Sequence, residues 1–151
     1  MKQALILIAT MALALPAGAQ QAGDAKLSYQ NELQRSIDKG VNFLESSQHP
    51  DGYWLAPDHP AVTALCLIAY HSNPDKPKVT PAWVANAYEY ILKQKQKNGS
   101  IYIPGKGLAN YNTALSLMAL IAAKNDAYTA TAKAARAYLV SQQWDLGKKK
   151  E

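Results

Sequence analysis

The sequence predicts an all-α fold of about five helices. Three observations carry that expectation: apolar residues recurring at spacings of three and four, a segment that is apolar almost all round, and one helix-and-turn segment that returns twice downstream. A unit of helix and turn cannot bury its apolar face alone, so neighbouring units must complete the core.

The chain opens with Met1-Lys2-Gln3, runs through a mostly apolar stretch from Ala4 to Leu15, and reaches Pro16-Ala17-Gly18-Ala19 before turning polar at Gln20. A charged start, a short apolar run and small residues at a cleavage point read as a secretory signal peptide over residues 1–19. The apolar run is too short for a stable membrane span, which needs roughly 20 residues. The expected mature domain is residues 20–151, secreted or periplasmic, and long enough to bury one core.

The first helix is read from Leu33, Ile37, Val41 and Leu44, and ends near Gln48. His49-Pro50-Asp51-Gly52 breaks it, because proline lacks the amide donor and glycine tolerates a positive φ. After a loop containing Trp54, Asp58-His59-Pro60 supplies an aspartate or histidine cap and a first-turn proline for a second helix, Ala61 to about His71. Its apolar residues lie on every side, so it is expected to be an inner helix, whereas the first is outer. Pro74, Pro77 and Pro81 carry the chain to Trp83 and a second outer helix through Ala87, Tyr90, Ile91 and Gln94. A second inner helix is expected to begin at Asn112-Thr113, and a third outer helix at Lys133. The only strand candidate is Ser100 to Ile103, short and directly after a turn.

The echoes have definite offsets. Asn98-Gly99 falls 47 residues after Asp51-Gly52, Thr113-Ala114-Leu115 falls 50 after Thr63-Ala64-Leu65, and Tyr138-Leu139, Gln143 and Gly147 fall 95 after Phe43-Leu44, Gln48 and Gly52. His49 and Asp51 do not recur as a pair, which points to packing rather than chemistry as the purpose of the segment.

Cys66 is the single cysteine and lies within an apolar run, so no intrachain disulfide can form. The formal charge of +5, or +4 once Lys2 is removed, is a mild bias concentrated in Lys93, Lys95, Lys97 and Lys148-Lys149-Lys150. Nucleic-acid binding would want basic residues interleaved with stacking aromatics on one surface, and exported proteins seldom meet such partners, so these lysines read as solvated faces and no nucleic-acid partner is expected.

Lys39-Gly40, Phe43-Leu44, Gln48, Gly52 and Trp54 together resemble the QW motif of squalene and hopene cyclases, and of the wider prenyltransferase/squalene-oxidase repeat family. A weaker likeness extends over residues 30 to 147 and includes Asn110-Tyr111-Asn112-Thr113. The resemblance implies an α/α toroid in which Gln48, Gly52 and Trp54 are structural. Gln48 would donate to carbonyls at the helix end, and Trp54 would bury ~150–250 Å² against the next unit. The second turn departs from the motif at Lys95 or Gln96 and at Ile101, and the third at Lys149. Family toroids have about twelve helices, so five imply a partial or truncated member.

The family's chemistry finds no counterpart. Its cyclases use an Asp-x-Asp-Asp acid, its diphosphate enzymes paired aspartates for magnesium, and its protein prenyltransferases an Asp, Cys and His zinc site. Here Asp51, Asp58 and Asp75 stand singly, and His49, His59 and His71 match no ligand signature. His59 reads as a helix start and His71 as a helix end favouring a cation. No metal or cofactor is expected. In a toroid the loops feeding inner helices line the cavity mouth, so Asp58, His59, Asn110, Tyr111 and Asn112 are the candidate contact residues, with helix capping as their simpler role. The expected function is an exported, non-catalytic module that binds an apolar ligand or a protein, or associates with itself through its open edge. The alternative is the N-terminal part of a cyclase, prenyltransferase-like or polysaccharide lyase toroid whose catalytic residues lie beyond Glu151.

Overall fold

The computed structural model describes residues 17–143, with side-chain surroundings from residue 25 onward. The fold is all-α. It comprises α1 (Ala17–Ser47), α2 (Pro60–Ser72), α3 (Ala82–Lys93), α4 (Ala109–Ala122), a 3-10 turn (Asp126–Tyr128) and α5 (Thr129–Ser141). The Ser100 to Ile103 strand candidate is reduced to one isolated bridge between Lys95 and Ile101. Most of the expected signal segment lies outside the described residues, as do Gly147, Lys149 and the rest of the basic tail. Among the described residues no helix is long and apolar enough to cross a membrane.

The chain divides into two compact units at Ile37 and Asp38. In the first, α1 begins well before the predicted Leu33, and Leu27, Tyr29 and Leu33 are all exposed. Ala17 to Gln34 has few large apolar residues, so the helical period has little to register there.

In the second unit α2 packs against α3 and α4, and α4 packs against α5. Trp54, Leu67, Tyr70, Trp83, Val84, Ile91, Ile101 and Leu120 share one core cluster. The apolar α2 and α4 contribute Ala61, Ala64 and Leu67, and Ala119 and Leu120, to the buried set. Proline in the first turn of α2 fits the sequence reading, since its missing N–H would have no helical partner there.

Two further helix starts differ from prediction. α4 begins at Ala109, not Asn112, after Leu108 at φ 56. Thr129, not Lys133, opens α5, because the Asn125 side chain accepts from the Ala127 amide and organises the preceding 3-10 turn.

Candidate functional site

The Gln48–Trp54 turn is held from both sides. Gln48 Nε2 donates to the Gly52 carbonyl at 3.2 Å and to the Trp83 carbonyl at 2.8 Å, linking the turn to the first residues of α3. The expected donation to the open carbonyls of its own helix is made by Trp54 instead, whose Nε1 reaches the Leu44 oxygen at 2.9 Å. Trp54 is buried and meets Trp83 edge to face at 5.9 Å between ring centroids. Gly52 has φ +90, and a Cβ there would lie 2.4 Å from the Asn86 carbonyl oxygen. Of the resembling positions, Leu44, Gln48, Gly52 and Trp54 make these contacts, whereas Lys39, Gly40 and Phe43 are exposed.

The backbone geometry of this turn, though not the Gln48 and Trp54 side-chain bonds, recurs 47 residues later. His49 N donates to Tyr53 O, and Gln96 N to Ser100 O; Gly52 N donates to His49 O, and Gly99 N to Gln96 O. Gly99 has φ +88, and its Cβ would lie 2.5 Å from the Ala134 carbonyl oxygen of α5. The Thr63 Oγ1 accepts from Trp54 N at 3.4 Å, as the Thr113 Oγ1 accepts from Ile101 N at 2.9 Å. This frame aligns Lys95 with Gln48 and Ile101 with Trp54, and Ile101 is fully buried where the tryptophan is replaced.

The five mouth candidates sit near the starts of α2 and α4 with different partners. Asp58 does not cap α2. It pairs with Lys106 Nζ at 3.2 Å and lies 3.7 Å from His59 Nε2. The Lys106 hydrogen bond holds its carboxyl below the usual carboxylate range, against a smaller opposing effect of burial. His59 occupies the N-cap position of α2 but makes no side-chain cap bond. Asn110 and Tyr111 are exposed within the first turn of α4, because that helix starts earlier than predicted.

Asn112 is buried and spans the two helices, its Oδ1 accepting from Ala61 N at 3.0 Å. It thus satisfies a first-turn amide of α2 rather than of its own helix. Its Nδ2 has no hydrogen-bond partner, and neither has the buried Ser116 Oγ one turn further on. Near this end Tyr90 Oη donates to the Pro57 carbonyl at 2.6 Å, and burial pushes the phenol up to about 12.

The opposite ends of α2 and α4 carry a constellation that sequence reasoning missed. Tyr88 Oη donates to the Ala119 carbonyl at 2.8 Å and lies 2.9 Å from His71 Nε2. A phenol has one proton and a carbonyl can only accept, so the His71 Nε2 carries the hydrogen and donates to Tyr88. Burial, then the neighbouring Lys76 charge, lowers the His71 pKa, which replaces the helix-end cation expected from sequence with a neutral imidazole. Burial raises the Tyr88 pKa, with the Tyr128 and Tyr70 phenols adding to it, so its hydroxyl stays protonated.

Tyr88 and Tyr128 rings lie 4.8 Å apart. A polar cavity of about 580 Å³ opens here among His71, Thr80, Tyr88, Lys124, Asp126 and Tyr128. His71 and Tyr88 lie 17 residues apart on different helices, so no helical spacing announces their meeting.

Cys66 is half-buried, and desolvation pushes its thiol up to about 11, so it persists as the thiol rather than a nucleophilic thiolate. Among the described residues no three His, Cys, Asp or Glu side chains converge in a way that could hold a metal ion. No family model, curated protein or solved structure matches this chain.

Proposed function

We propose that residues 20–151 act as an exported helical-repeat module of the prenyltransferase/squalene cyclase type, non-catalytic as it stands, that binds or packs against an apolar partner. The observation that carries the reading is the recurrence at 47 residues of one turn geometry, each copy pressing a positive-φ glycine onto the backbone of the next outer helix. Such units stack by nearest-neighbour contacts and leave apolar surface for a partner to cover. Tyr111, Met118 and Ile121 on α4, with Leu65 on α2, are exposed apolar residues of that kind.

Asp58 is not suited to be a cyclase acid. An acid that protonates an alkene must carry its proton, whereas the Lys106 partner favours the ionised carboxylate.

The test expresses the full chain in a bacterial host with a periplasm, reads the mature N-terminus by mass spectrometry, and titrates the purified product with anilinonaphthalene sulfonate. Export with cleavage after Ala19 and saturable dye binding by the folded protein are expected. Retention of residues 1–19 in a cytosolic product, or turnover of squalene, a prenyl diphosphate or pectate, would overturn the proposal.

A further inference from the structure

The hydrogen bonds from Trp54 N to Thr63 and from Ile101 N to Thr113 set α2 and α4 in a common register, fifty residues apart. In that register Ala61, Ala64 and Leu67 of α2 correspond to Tyr111, Ala114 and Leu117 of α4. The two sets are buried very differently. Ala61 is 1% exposed and Leu67 0%, with α2 packed against both α3 and α4. On α4, Tyr111 is 54% exposed and Ala114 and Leu117 are only half-buried, with Met118 and Ile121 beside them exposed as well. A groove of about 460 Å³ continues this face between α4 and α5, lined by Leu117, Ile121, Ala132 and Arg136 among others.

The complementary face is present in the same chain. Asn112, Ser116 and Ala119 are the buried positions that α4 carries one turn apart, and Asn112 bonds directly to α2. Their counterparts in the register are Val62, Cys66 and Ala69 on α2. Val62 and Cys66 are only partly covered and Ala69 is exposed. These counterparts are also more apolar. Docked on another surface, they would bury no unpartnered polar atoms of the kind that Asn112 Nδ2 and Ser116 Oγ present on α4.

We propose that the α4–α5 groove receives the α2 face of a second copy, so that the chain assembles head to tail by continuing its internal α2–α4 interface from molecule to molecule. The inference rests on the repeat-module reading above and adds the identity of the partner. The contact is heterologous, because the surface that receives differs from the surface that inserts, and association is therefore open-ended unless the rotation closes a ring.

The experiment uses the mature protein with two variants, Ile121→Glu to spoil the receiving face and Ala69→Glu to spoil the inserting one. Both positions are exposed, and circular dichroism verifies that each variant keeps the helical fold. Sedimentation velocity of the unsubstituted protein is expected to give a mass rising with concentration beyond a dimer. Each variant alone is expected to remain monomeric, and an equimolar mixture to double in mass, since each supplies the face the other lacks.

An unsubstituted protein that stays monomeric at the highest concentration overturns the proposal, as does a mixture that stays monomeric or a variant that still self-associates. Dye binding on the same samples separates the two readings. A monomer that binds dye sinks the head-to-tail contact and leaves the module reading standing, whereas assembly without apolar ligand binding upholds the contact and removes ligand capture.

Discussion

Gly52 and the carbonyl of Asn86 approach so closely that a single added Cβ would sit 2.4 Å from the oxygen. The turn after α1 is therefore in backbone contact with α3. Gly99 stands in the same relation to Ala134 of α5, at 2.5 Å. Because both glycines also have positive φ, alanine adds backbone strain to a clash with main-chain atoms that cannot rotate away. Gly52→Ala and Gly99→Ala are each expected to destabilise the fold by about 2 kcal/mol or more, read from urea midpoints. Gly40→Ala, at a helical site with nothing within 4 Å, is the control and should be neutral or stabilising.

Trp54 contributes both area and a hydrogen bond. Trp54→Phe keeps much of the edge contact with Trp83 but leaves the Leu44 carbonyl without its indole donor, an expected loss of about 1 kcal/mol. Trp54→Ala also opens a cavity and should cost about 3–5 kcal/mol. Chemical denaturation of the two variants separates the terms.

Acid should act through Asp58. Its folded-state carboxyl is held below the unfolded value, so its contribution is present above the unfolded pKa and lost as pH falls through the folded one. Asp58→Asn is expected to flatten the acid limb of the thermal stability profile below roughly pH 4, the usual carboxyl range. A profile identical to the unsubstituted protein's would contradict the Lys106 pairing.

His71 gives a second pH signature. Its pKa is lowered by burial, so the unfolded chain takes up the proton first and stability falls as pH drops below the ordinary imidazole value of about 6.5. NMR titration should find His71 neutral below that pH with the proton on Nε2. Tyr88→Phe removes its acceptor and also the donor to the Ala119 carbonyl, and is expected to cost about 1–3 kcal/mol.

Ser116 and Thr113 should respond in opposite ways. The buried Ser116 hydroxyl has no partner, so Ser116→Ala is expected to be neutral or stabilising by up to about 1 kcal/mol. Thr113 accepts from Ile101 N and donates to the Ala109 carbonyl at 2.6 Å, so Thr113→Val should destabilise by about 1–2 kcal/mol. Thermal midpoints of the pair check the assignment.

What was legible in the chain follows the range of the interactions. Periodicity and turn residues are local, and they located the bodies of α2 and α3 and both glycine turns. They were less reliable at helix starts, where Ala17 to Gln34 lacks an apolar face and Leu108 adopts a left-handed conformation that its side chain does not advertise. Gln48, Gly52 and Trp54 could be singled out beforehand, yet Phe43, equally prominent in the motif, faces solvent.

The linear order of residues was enough to establish an all-α chain, because the helical period and its breakers act over a few neighbouring positions. It could not say which helix would satisfy the Ala61 amide, that Asp58 would meet Lys106 rather than cap α2, or that Tyr88 would accept a hydrogen bond from His71. Those outcomes join residues 51, 48 and 17 positions apart. They depend on how α2, α3 and α4 pack, and burial then selects the ionisation states that the isolated residue types leave open.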